Sequence, residues 1–213
     1  LTGLSVRNSK ALLTVAKTGL TVVGTSDIHT TYDFLQIGAG GAIASYSTET
    51  VTASTHFIHN AYRHSGGNWK RRYDDTACRI SMNSPGASIQ FEYAVNGNAD
   101  TDITWVKNLM VDSSGRLLLG TTTEGSATAD DLTVATSGDT GITIRSGTSD
   151  EGNIFFSDGT SGNSEFRGYV QYLHSSNALL FGTDAAERLR IDSSGNVGIG
   201  CTPAHPFNLL KSQ

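Results

Sequence analysis

Ile191-Asp192-Ser193-Ser194-Gly195-Asn196-Val197-Gly198-Ile199-Gly200 decides how this chain is read, because its pattern recurs. Val111-Asp112-Ser113-Ser114-Gly115-Arg116-Leu117-Leu118-Leu119-Gly120 stands 80 positions upstream. A weaker third copy, Val15-Ala16-Lys17-Thr18-Gly19-Leu20-Thr21-Val22-Val23-Gly24, keeps the spacing of its two glycines. Each copy sets aliphatic residues on both sides of a short polar turn, the pattern of a β-hairpin. Asp112 and Asp192 are placed to accept backbone N–H groups across the turn, and Gly115 and Gly195 to adopt positive φ. Gly120 and Gly200 close the second arm. A repeated supersecondary unit argues for a stacked or elongated architecture before it argues for an enzyme.

Working outward, the same short-strand grammar fills the chain. Leu4 and Val6 alternate near the N-terminus, and Lys17-Thr18-Gly19 reads as a turn between two aliphatic runs. Thr25 to Thr31 is polar. Gly38-Ala39-Gly40-Gly41 is a turn or a close backbone approach, not a dinucleotide fingerprint, since it lacks the six-position spacing. Asn83-Ser84-Pro85-Gly86 is a strong turn signal. Ile89, Phe91, Tyr93 and Val95 alternate and share one strand face, and Asn96-Gly97 follows as a tight turn. Leu132-Thr133-Val134, Ile142-Thr143-Ile144-Arg145 and Phe166 to Tyr172 read as further strands. Ala185 to Arg190 contains helix formers but is too short for an independent helix. The expected class is therefore all-β. The expected organisation is an N-terminal β segment with the weak repeat (1–24), a first β unit with a long insertion and closing hairpin (25–120), a second β unit with its hairpin (121–203), and a tail or start of a following segment (204–213).

Composition narrows the function classes. Of 213 residues 24 are glycine and only 37% are apolar, so a single chain has little to bury and gains from partner subunits. The formal net charge of −5 disfavours a nucleic-acid partner, because the Lys70-Arg71-Arg72 run is followed at once by Asp74 and Asp75. Cys78 and Cys201 form neither a ligand pair nor a disulfide framework. No stretch approaches 18 consecutive apolar residues, so no helical membrane insertion is expected.

The segment from Leu180 to Gly200, with Leu180-Phe181-Gly182-Thr183-Asp184-Ala185-Ala186-Glu187-Arg188-Leu189-Arg190 leading into the hairpin, resembles the distal part of bacteriophage tail fibre and tailspike proteins. The resemblance is close over about 166–203, moderate over 103–123, weak over 1–24 and absent over 25–102. Gly200-Cys201 stands where the family phrase has Gly-Thr. In that family the phrase shortly precedes an endosialidase-type intramolecular chaperone domain, which usually cleaves itself off after assembly; Gln213 then marks either the mature end or a truncation. The resemblance implies an elongated, intertwined homotrimeric fibre in a virion, carried among other phage tail proteins and contacting a host cell-surface glycan or outer-membrane protein. In such a trimer Val111, Leu117, Leu119, Leu189, Ile191, Val197 and Ile199 are expected to face the interior. A self-contained monomeric β-sandwich is the alternative.

The candidate contact residues are Tyr62, Trp69, Arg71 and Tyr73, part of an aromatic concentration over 57–105 that interrupts the repeat. Aromatic rings beside arginine suit both carbohydrate faces and protein surfaces. Catalytic residues are not expected. Asp74, Asp75, Glu92, Asp100 and Asp102 are the acidic candidates for glycoside hydrolysis, yet none lies in a motif that fixes two carboxylates across a sugar. No metal or other cofactor is expected either: His56 and His59, three apart on a strand, point to opposite faces, and His64 alone does not complete a site. The expected function is structural and host-binding, with a depolymerase or a purely structural shaft as alternatives.

Overall fold

A computed structural model describes residues 13–15, 21–23, 32–37, 40–46, 54–64, 66–83 and 88–210, with side chains over 40–45, 54–64, 66–83 and 88–210. The readings at Leu4 and Val6, Lys17-Thr18-Gly19, Thr25 to Thr31, Gly38-Ala39 and Ser84-Pro85-Gly86 lie outside the described residues. The chain is all-β. Among the described residues it holds strands and one short 3-10 helix, Gly162–Phe166. No helix among them is long and apolar enough to cross a membrane. The chain packs as two units, Leu1–Gly141 and Ile142–Gln213.

In the first unit β1 (Leu13–Val15) and β2 (Thr21–Val23) form an antiparallel pair. The main sheet is built from β3 (Tyr32–Ile37), β4 (Gly41–Tyr46) and β5 (Ser54–His59). A small separate hairpin follows, β6 (Ala61–Arg63) with β7 (Trp69–Arg71). The chain then returns to the main sheet with β8 (Asp75–Asn83), β9 (Ser88–Gly97), β10 (Val106–Val111), β11 (Leu117–Leu119) and β12 (Leu132–Val134). Its eight strands run in the order β12-β11-β10-β9-β8-β5-β4-β3. All pairings are antiparallel except β11 with β12, which is parallel.

One face of this sheet is covered by the β6–β7 hairpin and by the segment leading into β10. Alanines at 42, 44, 61, 77 and 94 line that layer, and their small size lets Trp69 approach the sheet, with Ile58 beside it and Ile103 and Trp105 at its margin. At the corner between β5 and β6 the buried Asn60 adopts positive φ (55°), a conformation that asparagine tolerates well. Its amide donates to the carbonyls of Tyr73 (3.2 Å) and Thr76 (2.9 Å), and its Oδ1 accepts from the Tyr73 N–H (2.9 Å). One side chain thus ties the corner to the start of β8.

The second unit is a six-stranded sheet in sequential order: β13 (Glu151–Phe156), β14 (Gly168–Leu173), β15 (Ala178–Thr183), β16 (Ala186–Ile191), β17 (Val197–Ile199) and β18 (Phe207–Leu209). The last pairing is again parallel. The two units therefore end in the same device: a hairpin, then a crossover that returns a short strand parallel to the second arm. Hydrogen bonds repeat with it. Asp112 N–H donates to the Arg116 carbonyl (3.0 Å) and Asp192 N–H to that of Asn196 (3.0 Å). Leu117 N–H donates to the Asp131 carbonyl (2.8 Å) and Val197 N–H to that of Pro206 (3.0 Å). The register of β1 with β2, Leu13 opposite Val23 and Val15 opposite Thr21, has the same form as Leu109 opposite Leu119 and Val111 opposite Leu117.

Three sequence expectations differ from the structure. Phe166 closes the 3-10 helix, and the strand expected from it begins at Gly168. Ile142-Thr143-Ile144-Arg145 alternates like a strand but belongs to none. Leu132-Thr133-Val134 is a strand of the first unit's sheet, so that sheet extends past Gly120.

Candidate functional site

The turns are the repeated element of the chain. Asp112 Oδ1 accepts from the N–H groups of Ser114 (2.8 Å) and Arg116 (3.0 Å); Asp192 Oδ1 accepts from Ser194 (2.9 Å) and Asn196 (2.9 Å). Gly115 and Gly195 have φ of 83° and 82°, which an L side chain resists. The Arg116 guanidinium beside Asp112 holds its carboxyl below the usual range, and the Asn196 amide does the same for Asp192. Arg116 also reaches Asp130 (2.9 Å) and Glu124 (3.7 Å), which fastens the long crossover to the turn. In the second copy the crossover is shorter and Asn196 donates only to Asp192 (2.9 Å) among these groups. Both aspartates are turn anchors.

The aromatic concentration forms a polar layer beneath the β6–β7 hairpin. Arg79 and Glu92, opposite each other on β8 and β9, make a two-pronged ion pair (2.6 and 3.1 Å), and Ser81 also donates to Glu92. The Arg79 guanidinium lies 4.3 Å from the Trp105 ring centroid and 5.3 Å from that of Trp69. His56 meets Trp69 edge-on at 5.2 Å. Burial, together with the charge of Arg79, pushes the His56 imidazole down to about 4. Burial would raise the Glu92 carboxyl, but hydrogen bonds from Arg79 and Ser81 outweigh it and hold Glu92 below the ordinary range.

The four contact candidates divide within this layer. Tyr62, Trp69 and Arg71 are buried, while Tyr73 is 50% exposed. Tyr62 donates its hydroxyl to Asp100 (2.6 Å). Arg71 clamps the end of β9, donating to the carbonyls of Val95 (2.7 Å) and Asp102 (3.2 Å) and to the Thr101 hydroxyl (3.1 Å). In the chain these three build the layer that carries Tyr73, and they present no open face to a ligand. The acidic candidates likewise hold structure. Asp74 accepts from Ala99 N–H (2.7 Å), Asp75 from Thr76 N–H (2.7 Å), and Asp102 from the Asn68 amide (2.8 Å) while pairing with Lys70. Of the histidines, His56 is buried on the covered face and His59 is exposed on the other. Cys78 and Cys201 are both free thiols.

The feature that the sequence did not disclose is which side of the sheet the chain buries. On β9 the buried set is Ser88, Gln90, Glu92 and Ala94; the exposed set is Ile89, Phe91, Tyr93 and Val95. The ordinary rule for a half-buried strand is reversed. Register extends the apolar row across the sheet: Ile43, Phe57, Ile80, Phe91, Leu109, Leu119 and Val134 stand opposite one another on seven consecutive strands. Met82, Ile89, Val111, Leu117 and Leu132 form the next row. The second unit repeats the arrangement with Ile154, Val170, Phe181, Leu189, Ile199 and Leu209, flanked by Tyr172, Leu179, Ile191, Val197 and Phe207. Phe57, Ile89, Phe91, Phe181 and Ile199 remain 37–47% exposed, and Phe207 and Leu209 63%.

No protein-family model matches the chain, and no curated protein matches it at a significant level.

Proposed function

We propose that this chain is a structural and host-contacting segment of a bacteriophage tail fibre, working as a homotrimer without catalytic activity. The observation that carries the reading is the uncovered apolar face of both sheets. Isolated exposed leucines are ordinary, but continuous rows across seven and six strands are not. Covering the exposed half of a Phe, Ile or Leu side chain gains roughly 1 kcal/mol, so each chain holds several kcal/mol in reserve for association. A second and third copy of the same chain supply matching rows, and winding about a threefold axis also closes sheet edges. The resemblance of Leu180 to Gly200 to phage fibre sequences supports the same assembly, with other tail proteins as further partners and the virion as location.

The mechanism is presentation. Each copy carries one Tyr73 surface, and threefold repetition converts weak contacts with a host glycan or outer-membrane protein into a durable attachment. The structural partners of Asp74, Asp75, Glu92, Asp100 and Asp102 support a non-catalytic role, since each carboxylate already holds a fold contact.

Light scattering on the purified chain tests the assembly, with a mass near three chains expected; a stable monomer would sink it. Binding to host cells by the assembled protein, with and without Tyr73→Ala, tests the contact. Loss of binding in a variant of unchanged mass supports host contact at Tyr73. No binding by either protein assigns the segment to the shaft alone.

A further inference from the structure

Ile142-Thr143-Ile144-Arg145 has the alternation of a half-buried strand, yet Ile142 is 71% and Ile144 49% exposed. Among the described residues no backbone hydrogen bond reaches these four. Ser146, which follows, has a buried hydroxyl with no hydrogen-bond partner among the described residues. A second unpaired element lies in the same unit. β13 is the first strand of its sheet and pairs only with β14, so its outer edge is open over six residues. Edge strands are usually guarded by lysine, proline or a bulge. Glu151-Gly152-Asn153-Ile154-Phe155-Phe156 carries one charge, Glu151 at its start; it contains neither lysine nor proline, and its register with β14 is unbroken.

The segment does not pair with the edge of its own β13. A turn closed by the Asp150 N–H on the Gly147 carbonyl (3.0 Å) leads it instead over the face of that strand. There Ile144 rests above Gly152, where an added Cβ would lie 3.5 Å from Ile144 Cγ2. Glycine is the gap in a row otherwise filled by Tyr172, Leu179, Ile191, Val197 and Phe207. A segment laid across the face of a strand is not available to that strand's edge.

We infer that Ile142–Arg145 of one copy adds as a strand to the open edge of β13 in a neighbouring copy. Each chain offers this segment and this edge, so three copies around an axis satisfy each other at this contact. The inference rests on the trimeric reading and gives it a main-chain lock in addition to side-chain packing.

Hydrogen–deuterium exchange on the purified protein, with its mass measured in the same sample, tests the lock. The amides of 142–145, and those amides of 151–156 that point away from β14, are expected to exchange at least on the order of tenfold more slowly than unstructured backbone. Because alternate N–H groups face the partner strand, Thr143→Pro and Ile144→Pro remove a donor from each side in turn, and one of them is expected to abolish the protection. An oligomer in which 142–145 exchanges freely overturns the lock and leaves the side-chain assembly standing. Protection of 142–145 in a monomer overturns pairing between copies, and a monomer in which 142–145 exchanges freely overturns both ideas. Protection unchanged by either proline also overturns the lock.

Discussion

His56 is a histidine with no room for a second proton. It lies beneath Trp69, within the field of Arg79, and protonates in the folded chain only near pH 4, against about 6.5 for a free imidazole. The folded state therefore binds fewer protons than the unfolded state between those values. Its contribution to stability is complete above pH 6.5, declines as pH falls toward 4, and is fully lost below that. The whole effect is about 3 kcal/mol at most. Denaturation midpoints measured from pH 7 to 4 are expected to fall for the native chain and to stay nearly level for His56→Gln. Glu92 acts in the same sense at lower pH, since its folded carboxyl is held below the ordinary range and its stabilisation is lost only as that carboxyl protonates. Gly120 and Gly200 occupy equivalent positions with φ of 71° and 70°. Alanine at either costs about 1–2 kcal/mol for the left-handed backbone. A Cβ at Gly120 would also run into the Ala135 carbonyl oxygen, whereas at Gly200 it meets Leu210 Cβ at 3.4 Å. Gly120→Ala is therefore expected to be the more destabilising of the two in urea titrations.

Among elements, the corner and the crossover make separable predictions. Asn60→Ala removes three hydrogen bonds at a buried corner and leaves the backbone of Tyr73 and Thr76 without those partners, at a cost of about 2–4 kcal/mol in unfolding free energy. Arg116→Ala removes the anchor that Glu124 and Asp130 of the long crossover have at the turn, so limited proteolysis within 121–131 is expected to speed up while the shorter crossover of the second unit stays unaffected. Much of this scale was legible in the chain. Hairpins around Asp112 and Asp192 follow from flanking aliphatics and turn residues, because both signals are local. The alternation of Ile89, Phe91, Tyr93 and Val95 gave the strand and the residues that share a face. It did not tell which face the chain covers, because that depends on where the distant β6–β7 hairpin lands. The same distance hid Asn60, whose partners are 13 and 16 residues away. The parallel returns of β12 and β18 were equally hidden, since a three-residue strand carries no mark of its partner.

For the whole molecule, the central prediction concerns the apolar faces. Phe91→Lys in the first sheet and Phe181→Lys in the second place a charge in the middle of each row, on side chains already 43% and 40% exposed. Each is expected to lower the assembled mass while leaving the circular dichroism of the β-structure intact, because Phe91 lies on the face opposite the covered layer that holds Glu92, and Phe181 on the face opposite buried Ala178 and Leu180. Unfolding of the isolated chain by either change would instead show that these rows belong to its own core.

The reversed strand also sets the order of events during synthesis. A chain that buries serine, glutamine and glutamate while presenting isoleucine and phenylalanine to water is adhesive from the moment its sheet forms. In the proposed trimer its solubility belongs to the finished assembly, and every newly made copy competes between meeting sister chains in register and sticking to anything apolar nearby. Neighbouring ribosomes on one message shorten that search. Dilution lengthens it, so the yield of soluble protein is expected to rise with local chain concentration at early times, the reverse of what aggregation alone would give.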